Sequence, residues 1–500
     1  MRIDNIRIEQ TSECARLAAT VTWENRARAQ GDLYFATPPE YADALSARAD
    51  VFLPAFGLLA TWYGEARLKI EGSVCPLLFE GVGANLRFLR AKEGWPRPLP
   101  AIEVKLDRTA LPRCPGERTG LFLSRGIDSL FELRRNLDLV PRQHPFAIQD
   151  LLHVQGAGFP EDPNFRLGSR ALEDITCKFA AITADTGISM IPILSNLRQI
   201  AAVHTPHFAR FWQDHFHKAA IASVAHAFGG RLSRIIMASG CEAWAKAPTL
   251  SDLPHNYNSS TLQVTHFASF SRFEKTRMIS EWPVGRDNIL VCTKRSSSNC
   301  GKCLKCLWAR TALAALGKES EAFDIGEVDP WVIRRLALIT PSYFVHDYDT
   351  LLAPLRAAGR LDLVAAVEEL LAWAGPWDTW RDGLISDLSS CLPAGARFVL
   401  VDDSALQLNG LAEDRRAIPF LERDGRYWGS PPDDATAIAE LERLRGDEAG
   451  FLAVAWSSAW WFDTYPRWSA YLRERFPRIL ENPRVTVFDL RRAAERSTAA

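Results

Sequence analysis

The sequence contains no run of about 18 consecutive apolar residues, the length that a helix needs to cross a bilayer, so we expect no membrane partner. Residues 1–5 supply neither an apolar stretch nor a small-residue cleavage site, and we expect no secretory signal. Neither sign of charge is in excess, because 59 Lys and Arg are balanced by 60 Asp and Glu. This balance argues against bulk nucleic-acid binding, which needs a strong positive field. A Gly-x-Gly-x-x-Gly dinucleotide fingerprint is also missing.

Cysteine is too sparse for a disulfide-stabilised scaffold, with ten residues in a chain of 500. Four of them form one C-x7-C-x2-C-x2-C run, and four thiolates at this spacing can close a tetrahedral Zn²⁺ site. Buried free cysteines are the alternative, but they do not explain three thiols within seven residues. The other six are scattered, so we expect a reducing, cytoplasmic location. The predicted metal ligands are Cys292, Cys300, Cys303 and Cys306.

The length of 500 residues is enough for about three domains, and 47% hydrophobic against 24% charged residues is ordinary for a globular chain. Short strands and helical runs come first, and a proline-rich segment at 96–100 separates them from a regular alternation of strands and helices. A helical segment then leads to a second set of strands. We predict an N-terminal α+β module (1–115), an α/β domain (116–325), a helical connector (326–376) and a small C-terminal α/β domain with a parallel sheet (377–493).

The C-terminal segment predicts strands at 397–401, 450–456 and 484–489, with helices between them. Four of its tryptophans lie close together in the sequence, and an aromatic cluster is more often core than a platform for a ligand. Packing is therefore the expectation, and stacking on a ligand ring is the alternative. These residues are Trp456, Trp460, Trp461 and Trp468.

The most informative stretch joins a buried strand to a helix. Residues 119–123 are mostly apolar, and Leu130, Leu133 and Leu137 recur at helical spacing. The turn between them directs free backbone N–H groups and a helix dipole at one point, which makes an anion site. Its glycine lets a phosphate approach closely, its serines add hydroxyl donors, and its aspartate suits Mg²⁺ or a helix cap. An ordinary capped turn is the alternative. The turn consists of Ser124, Arg125, Gly126, Ile127, Asp128 and Ser129.

Further strands are predicted at 144–154, 188–195 and 233–238, in alternation with helices. This alternation indicates a parallel sheet with helices on both faces, in which ligands bind beyond the carboxyl ends of the strands. The residues at those ends, besides the turn, are candidates for ligand contacts: His153, Asn196, Arg198 and Ser239.

A polar segment is followed by a helix whose first turn is basic. Ser271 and Glu274 have the spacing of a capping box, which predicts that a helix begins directly after Ser271. Arg272 and Lys275 then lie three residues apart on one face, where they can hold a phosphate or a carboxylate. A solvated helix face is the alternative.

The turn and the cysteine run together resemble the PP-loop ATP pyrophosphatases, and within them the QueC-like branch (7-cyano-7-deazaguanine synthase-like). That family carries a Ser-Gly-Gly-x-Asp-Ser loop and, later, a zinc site with Asn/Pro-Cys-Gly-x-Cys-x-x-Cys as its core. Here Ser124, Gly126, Asp128 and Ser129 match the loop, Arg125 replaces its first glycine, and the cysteine spacing matches throughout. The resemblance covers roughly residues 116–325. It implies a Rossmann-like (HUP-type) PP-loop domain with a parallel sheet.

The resemblance also implies a reaction. The turn, with His153, Asn196 and Ser239, would bind ATP, and Mg²⁺ near Asp128 would offset charge on the leaving pyrophosphate. A small-molecule carboxylate, of the 7-deazaguanine type in the nearest relatives, would be adenylated and passed to ammonia, an amine or a protein acceptor. Zn²⁺ would be structural. The residues expected to take part in catalysis are Asp128, Ser129, Arg272 and Lys275.

Three alternatives stay open at this point. Larger QueC-like proteins in anti-phage defence operons resemble this chain in having extra modules, which suggests attachment of a deazaguanine to a protein amine. A second possibility is a nucleotide-binding scaffold that has lost catalysis through Arg125. A sulfur transferase is the third, but it needs an exposed reactive thiol, whereas the clustered cysteines suit a metal. The sequence does not decide whether the chain forms a homodimer.

Overall fold

A computed structural model describes most of the chain, and the statements below concern this part. The described residues are 1–24, 30–93, 98–108, 118–155, 169–202, 211–238, 256–267, 270–292, 298–323, 326–336, 347–373, 377–403, 406, 415–423, 426–427 and 429–491. No helix within these ranges is both long enough and apolar enough to span a membrane.

The strands form one large sheet, one small sheet and an isolated two-stranded pair. They are Arg2–Gln10 (β1), Ala15–Thr22 (β2), Gly31–Thr37 (β3), Arg67–Val74 (β4), Ala101–Leu106 (β5), Arg118–Phe122 (β6), Ile148–Gln155 (β7), Ser189–Ser195 (β8), Leu232–Ala238 (β9), Gln263–Phe267 (β10), Arg397–Val401 (β11), Arg416–Pro419 (β12), Glu422–Arg423 (β13), Arg426–Tyr427 (β14), Phe451–Ala455 (β15), Arg478–Glu481 (β16) and Val485–Asp489 (β17).

Helices cover the faces of both larger sheets and form the connector between them. The α-helices are Leu53–Tyr63, Pro76–Glu93, Ile127–Leu139, Ser169–Lys178, Ala180–Thr186, Leu197–Ala202, His217–Ala227, Arg272–Ser280, Pro283–Asp287, Leu304–Ala315, Pro330–Leu336, Leu352–Ala357, Leu361–Trp373, Trp377–Cys391, Asp434–Gly446, Trp461–Thr464 and Pro466–Arg475. A π-helical turn spans Trp212–Phe216, and short 3₁₀ turns span Pro39–Ala44, Ala49–Val51 and Trp456–Ser458.

The large sheet has ten strands in the order β10-β9-β6-β7-β8-β3-β2-β1-β4-β5. The five strands from β10 to β8 run parallel to one another, as their alternation with helices predicted. Counted along the chain, these five have the spatial order 3-2-1-4-5, so the direction of winding reverses beside β6. In open α/β sheets, ligands bind beyond the carboxyl ends of the strands at such a reversal. The turn 124–129 follows β6 and therefore lies at this position.

The N-terminal strands continue the same sheet, which the sequence did not predict. Strand β3 pairs antiparallel with β8 through Phe35 with Ser195 and Ala36 with Leu194. Residues 190–195 of β8 are all buried, so this strand needs a covered neighbour on both edges and both faces. Apolar residues of both halves, such as Phe56 and Ile191, share one hydrophobic cluster. The boundary predicted at residue 115 therefore falls between strands of one sheet, and the domain limits stay predictions.

The small C-terminal sheet corrects one expectation. Its order is β12-β11-β15-β17-β16, and only β12, β11 and β15 are parallel, so the prediction of a parallel sheet was wrong for its other half. The helix Pro466–Arg475 leads first into β16, which the sequence analysis missed. Only three residues connect β16 to β17, so these two strands form an antiparallel hairpin. Strand β17 lies between β16 and β15 in the sheet. Three of the four tryptophans pack as expected, because Trp456, Trp461 and Trp468 are buried, whereas Trp460 is half-buried.

Candidate functional site

The turn after β6 has the backbone of a tight bend that opens a helix. Arg125 adopts the left-handed conformation with φ of 62°, and Gly126 has φ of −68° and ψ of 158° as the N-cap of the helix Ile127–Leu139. A glycine N-cap carries no side chain, so it cannot satisfy the N–H groups of the first helical turn. These groups and the positive end of the helix dipole lie at the carboxyl end of β6.

The two serines of the turn shape the bend from inside. The Ser129 hydroxyl donates to the Gly126 carbonyl at 3.0 Å and accepts the Ser124 N–H at 3.2 Å. The Ser124 hydroxyl accepts the Gly126 N–H at 3.2 Å. Both hydroxyls, which we predicted as phosphate donors, are thus engaged within the turn. A bound phosphate has to share or replace these hydrogen bonds.

Arg125 is held at both its backbone and its side chain. Its carbonyl accepts the Leu290 N–H at 2.9 Å, and its guanidinium lies 5.4 Å from the centre of the Phe179 ring. Burial lowers the pKa of Arg125. The left-handed conformation costs a residue other than glycine roughly 1–2 kcal/mol. A glycine at position 125 would adopt the same backbone without this cost.

We expect Arg125→Gly to be more stable than Arg125→Ala by about 0.5–1 kcal/mol. Both variants lose the guanidinium, so the difference between them reports only on the left-handed backbone at residue 125. Glycine removes the strain of this conformation, and this gain is larger than the entropy that glycine adds to the unfolded chain. Urea unfolding of the two variants measures the difference. An alanine variant at least as stable as the glycine variant would show that the turn does not require this conformation.

The basic helix reaches the turn through a buried lysine. The helix Arg272–Ser280 begins at the predicted capping box, because the Ser271 hydroxyl accepts the Glu274 N–H and the Glu274 carboxylate accepts the Ser271 N–H. Lys275 is only 1% exposed, and its Nζ donates to Asp128 Oδ1 at 2.7 Å. Buried ammonium groups in proteins are usually paired with an acidic group, as Lys275 is here. Two predicted catalytic residues are therefore in direct contact.

The other predicted basic residue, Arg272, faces a partner that sequence reasoning missed. Arg272 Nη1 forms an ion pair with Asp347, and its guanidinium lies 5.8 Å from the centre of the Trp308 ring. Desolvation and the nearby charge of Arg272 lower the pKa of Lys305, so this lysine lies near the same ion pair. Lys305 lies between two metal-site cysteines in the sequence, which was the only signal for it. No sequence signal indicated Asp347 as a partner of Arg272, because the two residues are 75 positions apart.

Glu132 is a second carboxylate on the helix that begins in the turn. It lies one helical turn after Asp128, is 2% exposed, and its Oε1 finds no hydrogen-bond partner in the described part of the chain. Burial raises the pKa of Glu132 to about 7, against opposing effects of Arg135 and Lys275. Its Oε2 is 3.7 Å from Arg135 Nη1. Its position on a mostly apolar helix face gave no sequence signal.

We expect Glu132→Gln to stabilise the protein at pH 8 and much less at pH 5. A carboxyl whose pKa is raised in the folded state favours folding only while it is protonated, so its ionisation costs stability as pH rises from 4.5 towards about 7. The full cost is roughly 3 kcal/mol at most. Urea unfolding at the two pH values tests this, with the exposed Glu173→Gln as the control that should respond at neither pH. Equal effects of Glu132→Gln at both pH values would contradict the raised pKa.

His153 at the end of β7 lies next to the turn but cannot supply positive charge. Its Nδ1 is 3.0 Å from the Leu123 carbonyl, and its ring packs 4.7 Å from Phe179. Burial lowers the pKa of His153 to about 4, so the ring is neutral at physiological pH. With Nδ1–H donating to the carbonyl, Nε2 is left as an acceptor. It can therefore contact a hydroxyl or amine, not a phosphate oxygen.

Asn196 and Ser239 were predicted for the same strand edge. Asn196 accepts the Tyr34 N–H at 2.9 Å and donates to the Asp32 carbonyl at 2.8 Å, so its amide joins β8 to β3. These contacts are structural and do not support nucleotide binding, which stays a prediction for this residue. Ser239 lies outside the described residues.

The four predicted metal ligands converge. Their Sγ atoms all lie within 4.8 Å of one another, and Cys300 Sγ is 4.0 Å from Cys306 Sγ. Zn–S bonds of about 2.3 Å in a tetrahedron require sulfur atoms roughly 3.8 Å apart. The thiol of Cys300 lowers the pKa of Cys292 to about 6, and hydrogen bonding to Cys292 raises the pKa values of Cys300 and Cys306. Ionisation of all four thiols at this spacing needs a cation to offset the repulsion between thiolates, and the cluster fits Zn²⁺.

The backbone around the cluster is arranged by two polar side chains. Asn299 Oδ1 accepts the N–H groups of Val291 and Cys292, and its Nδ2 donates to the Ile289 carbonyl at 2.7 Å. Arg310 Nη1 donates to the Gly301 carbonyl at 2.9 Å. The segment 289–292 that carries the first cysteine also supplies the Leu290 N–H to Arg125. Metal site and turn are therefore joined through one hydrogen bond and a short stretch of backbone.

Comparison of the chain with protein-family models, with curated proteins and with solved structures gives no match. Function is therefore inferred from the side chains and backbone of this chain. The features that bear on it are the open helix start at the turn, the Asp128–Lys275 pair, the Arg272–Asp347 pair and the four thiols.

Proposed function

We propose that the chain is an ATP-dependent enzyme that forms AMP and pyrophosphate, with a Rossmann-like PP-loop domain of the QueC-like kind. The observation that carries the proposal is the turn 124–129. It follows a parallel strand where the winding of the sheet reverses, opens a helix without a side-chain cap, and has a buried lysine on its aspartate. A triphosphate is the ligand that best matches helix N–H groups, a metal-binding carboxylate and nearby cations.

In the proposed reaction, the turn holds the β- and γ-phosphates of ATP, and Mg²⁺ near Asp128 offsets their charge. A carboxylate oxygen of the second substrate attacks the α-phosphorus, and the bond to the bridging oxygen breaks as pyrophosphate leaves with the electron pair. A nitrogen nucleophile then attacks the acyl carbon of the adenylate, loses a proton and releases AMP. Lys275 and Arg272 would stabilise negative charge on the transferring groups.

The role proposed for Zn²⁺ is structural. A cation held by four thiolates has no open coordination position, so it cannot bind substrate directly. It would fix the segment 289–292, and through Leu290 the position of Arg125, in relation to the helix Leu304–Ala315. A sulfur transferase is less well supported, because the clustered thiols are buried or half-buried and suit a metal.

The test is product analysis with purified chain, Mg²⁺–ATP and a panel of carboxylates that includes 7-carboxy-7-deazaguanine, each with ammonia or an amine. We expect AMP and pyrophosphate in equal amounts, dependent on one carboxylate. ADP and phosphate as products would contradict the proposed chemistry. Tight ATP binding without turnover on any carboxylate, or on protein amines offered with it, would favour the scaffold alternative, which the internal hydrogen bonds of Ser124 and Ser129 also allow.

A further inference from the structure

An ion pair near the turn has the chemistry of an occupied carboxylate site. Asp347 and Arg272 are in contact, with side chains 16% and 25% exposed, so both are partly accessible to solvent. Trp308 supports the arrangement from two sides, because its ring faces the guanidinium and its Nε1 donates to the Asp347 carbonyl at 2.9 Å. The guanidinium is thus held by the fold, and its carboxylate ligand comes from the chain itself.

The Arg272–Asp347 pair is linked to the turn through Lys275 on the same helix. Arg272 and Lys275 are one helical turn apart, so their side chains are neighbours on one face, and Lys275 contacts Asp128 in the turn. A carboxylate on Arg272 therefore lies next to the place where the turn would hold a nucleotide.

The Asp347 carboxylate is not in a favourable environment for a negative charge. Burial raises its pKa, and the carboxylates of Asp128 and Asp349 raise it further, against the lowering effect of Arg272. Another carboxylate can take over the same guanidinium without loss of hydrogen bonds, because Arg binds planar carboxylates through a fixed fork of N–H groups.

Building on the proposed function, we infer that Arg272 is the anchor for the carboxylate of the second substrate and that Asp347 occupies this anchor as an internal competitor. The inference names the substrate class as small planar carboxylates. It also assigns a role to Asp347, which no feature of the sequence had indicated. Asp347 would make the site reject weakly bound anions and accept a carboxylate only when the rest of the substrate adds binding energy.

The experiment measures binding of 4-fluorobenzoate to the full chain by ¹⁹F NMR, without ATP. Asp347→Asn and Asp347→Ser should each bind the probe about 5-fold tighter than the unchanged protein, because the competing charge is gone. Arg272→Gln should abolish binding in either background. The control Asp362→Asn removes an exposed carboxylate from an equivalent pair with Arg360 and should leave the affinity unchanged.

Weaker or unchanged binding in both Asp347 variants would overturn the inference and make Asp347 a residue that positions Arg272. Probe binding that survives Arg272→Gln would overturn the anchor. Because ATP is absent, failure of adenylation leaves these results intact. Conversely, pyrophosphate formation that does not depend on Arg272 would refute the anchor while supporting the enzyme.

Discussion

Replacing Cys303 with serine is expected to remove the proposed zinc and to lower the thermal stability of the purified chain in the same step. The four Sγ atoms already lie within 4.8 Å of one another, so each ligand is needed to close the tetrahedron. A serine hydroxyl stays protonated at neutral pH and binds Zn²⁺ poorly. Metal content should fall from about one ion per chain to near zero, since a structural zinc site couples its binding energy of roughly 10 kcal/mol or more to folding.

The stability effect should be concentrated around the cluster. Cys303 and Cys306 begin the helix Leu304–Ala315, which packs in the same hydrophobic cluster as the helix that opens at the turn. Elemental analysis and thermal unfolding with and without a chelator measure both effects. Cys177→Ser is the matched control, because Cys177 is exposed and outside the cluster. A Cys303→Ser protein with full metal content and an unchanged melting temperature would refute the zinc assignment.

Asp128→Asn is expected to abolish pyrophosphate formation while the protein stays folded. Asparagine has nearly the shape of aspartate and can still accept the hydrogen bond from Lys275, so the contact at 2.7 Å can survive. The variant loses the negative carboxylate that is proposed to bind Mg²⁺. Without this Mg²⁺, the charge on the leaving pyrophosphate would not be offset. We expect kcat/KM to fall by about 100- to 1000-fold or more, the range for loss of a group that stabilises transition-state charge.

The matched control for this variant is Asp138→Asn. Asp138 lies on the same helix and forms an exposed pair with Arg134, so the change in charge and side chain is identical but remote from the turn. It should leave turnover unchanged. Circular dichroism and thermal unfolding establish that both variants are folded. If Asp128→Asn kept its turnover at every Mg²⁺ concentration, the turn would not be the catalytic phosphate site.

Much of the local structure followed from the sequence. The helix start at Ser271 was predictable because a capping box is decided within four residues. The bend after β6 followed from an apolar strand, a glycine and an apolar helical period, and the thiol cluster followed from cysteine spacing. Such features depend on neighbouring residues, whose separations along the chain limit their separations in space.

Contacts between distant segments were not predictable in the same way. Lys275 meets Asp128 across 147 residues, and the sequence offers 60 acidic side chains as possible partners. The raised pKa of Glu132 and the lowered pKa of His153 arise from burial, which depends on what packs over each group. Alternation of strands and helices predicted a parallel sheet, but strand order and the insertion of β17 depend on which edges meet.

The sequence by itself determined strand β6, the tight turn after it, the helix that this turn opens and the cluster of four thiols. Only the tertiary structure decided that β3 joins the sheet at β8, that Asp128 and Lys275 pair, and that Arg272 pairs with Asp347. The physical reason is that hydrophobic periodicity specifies which face of an element is buried, whereas the partner of a charge is set by how buried faces pack together.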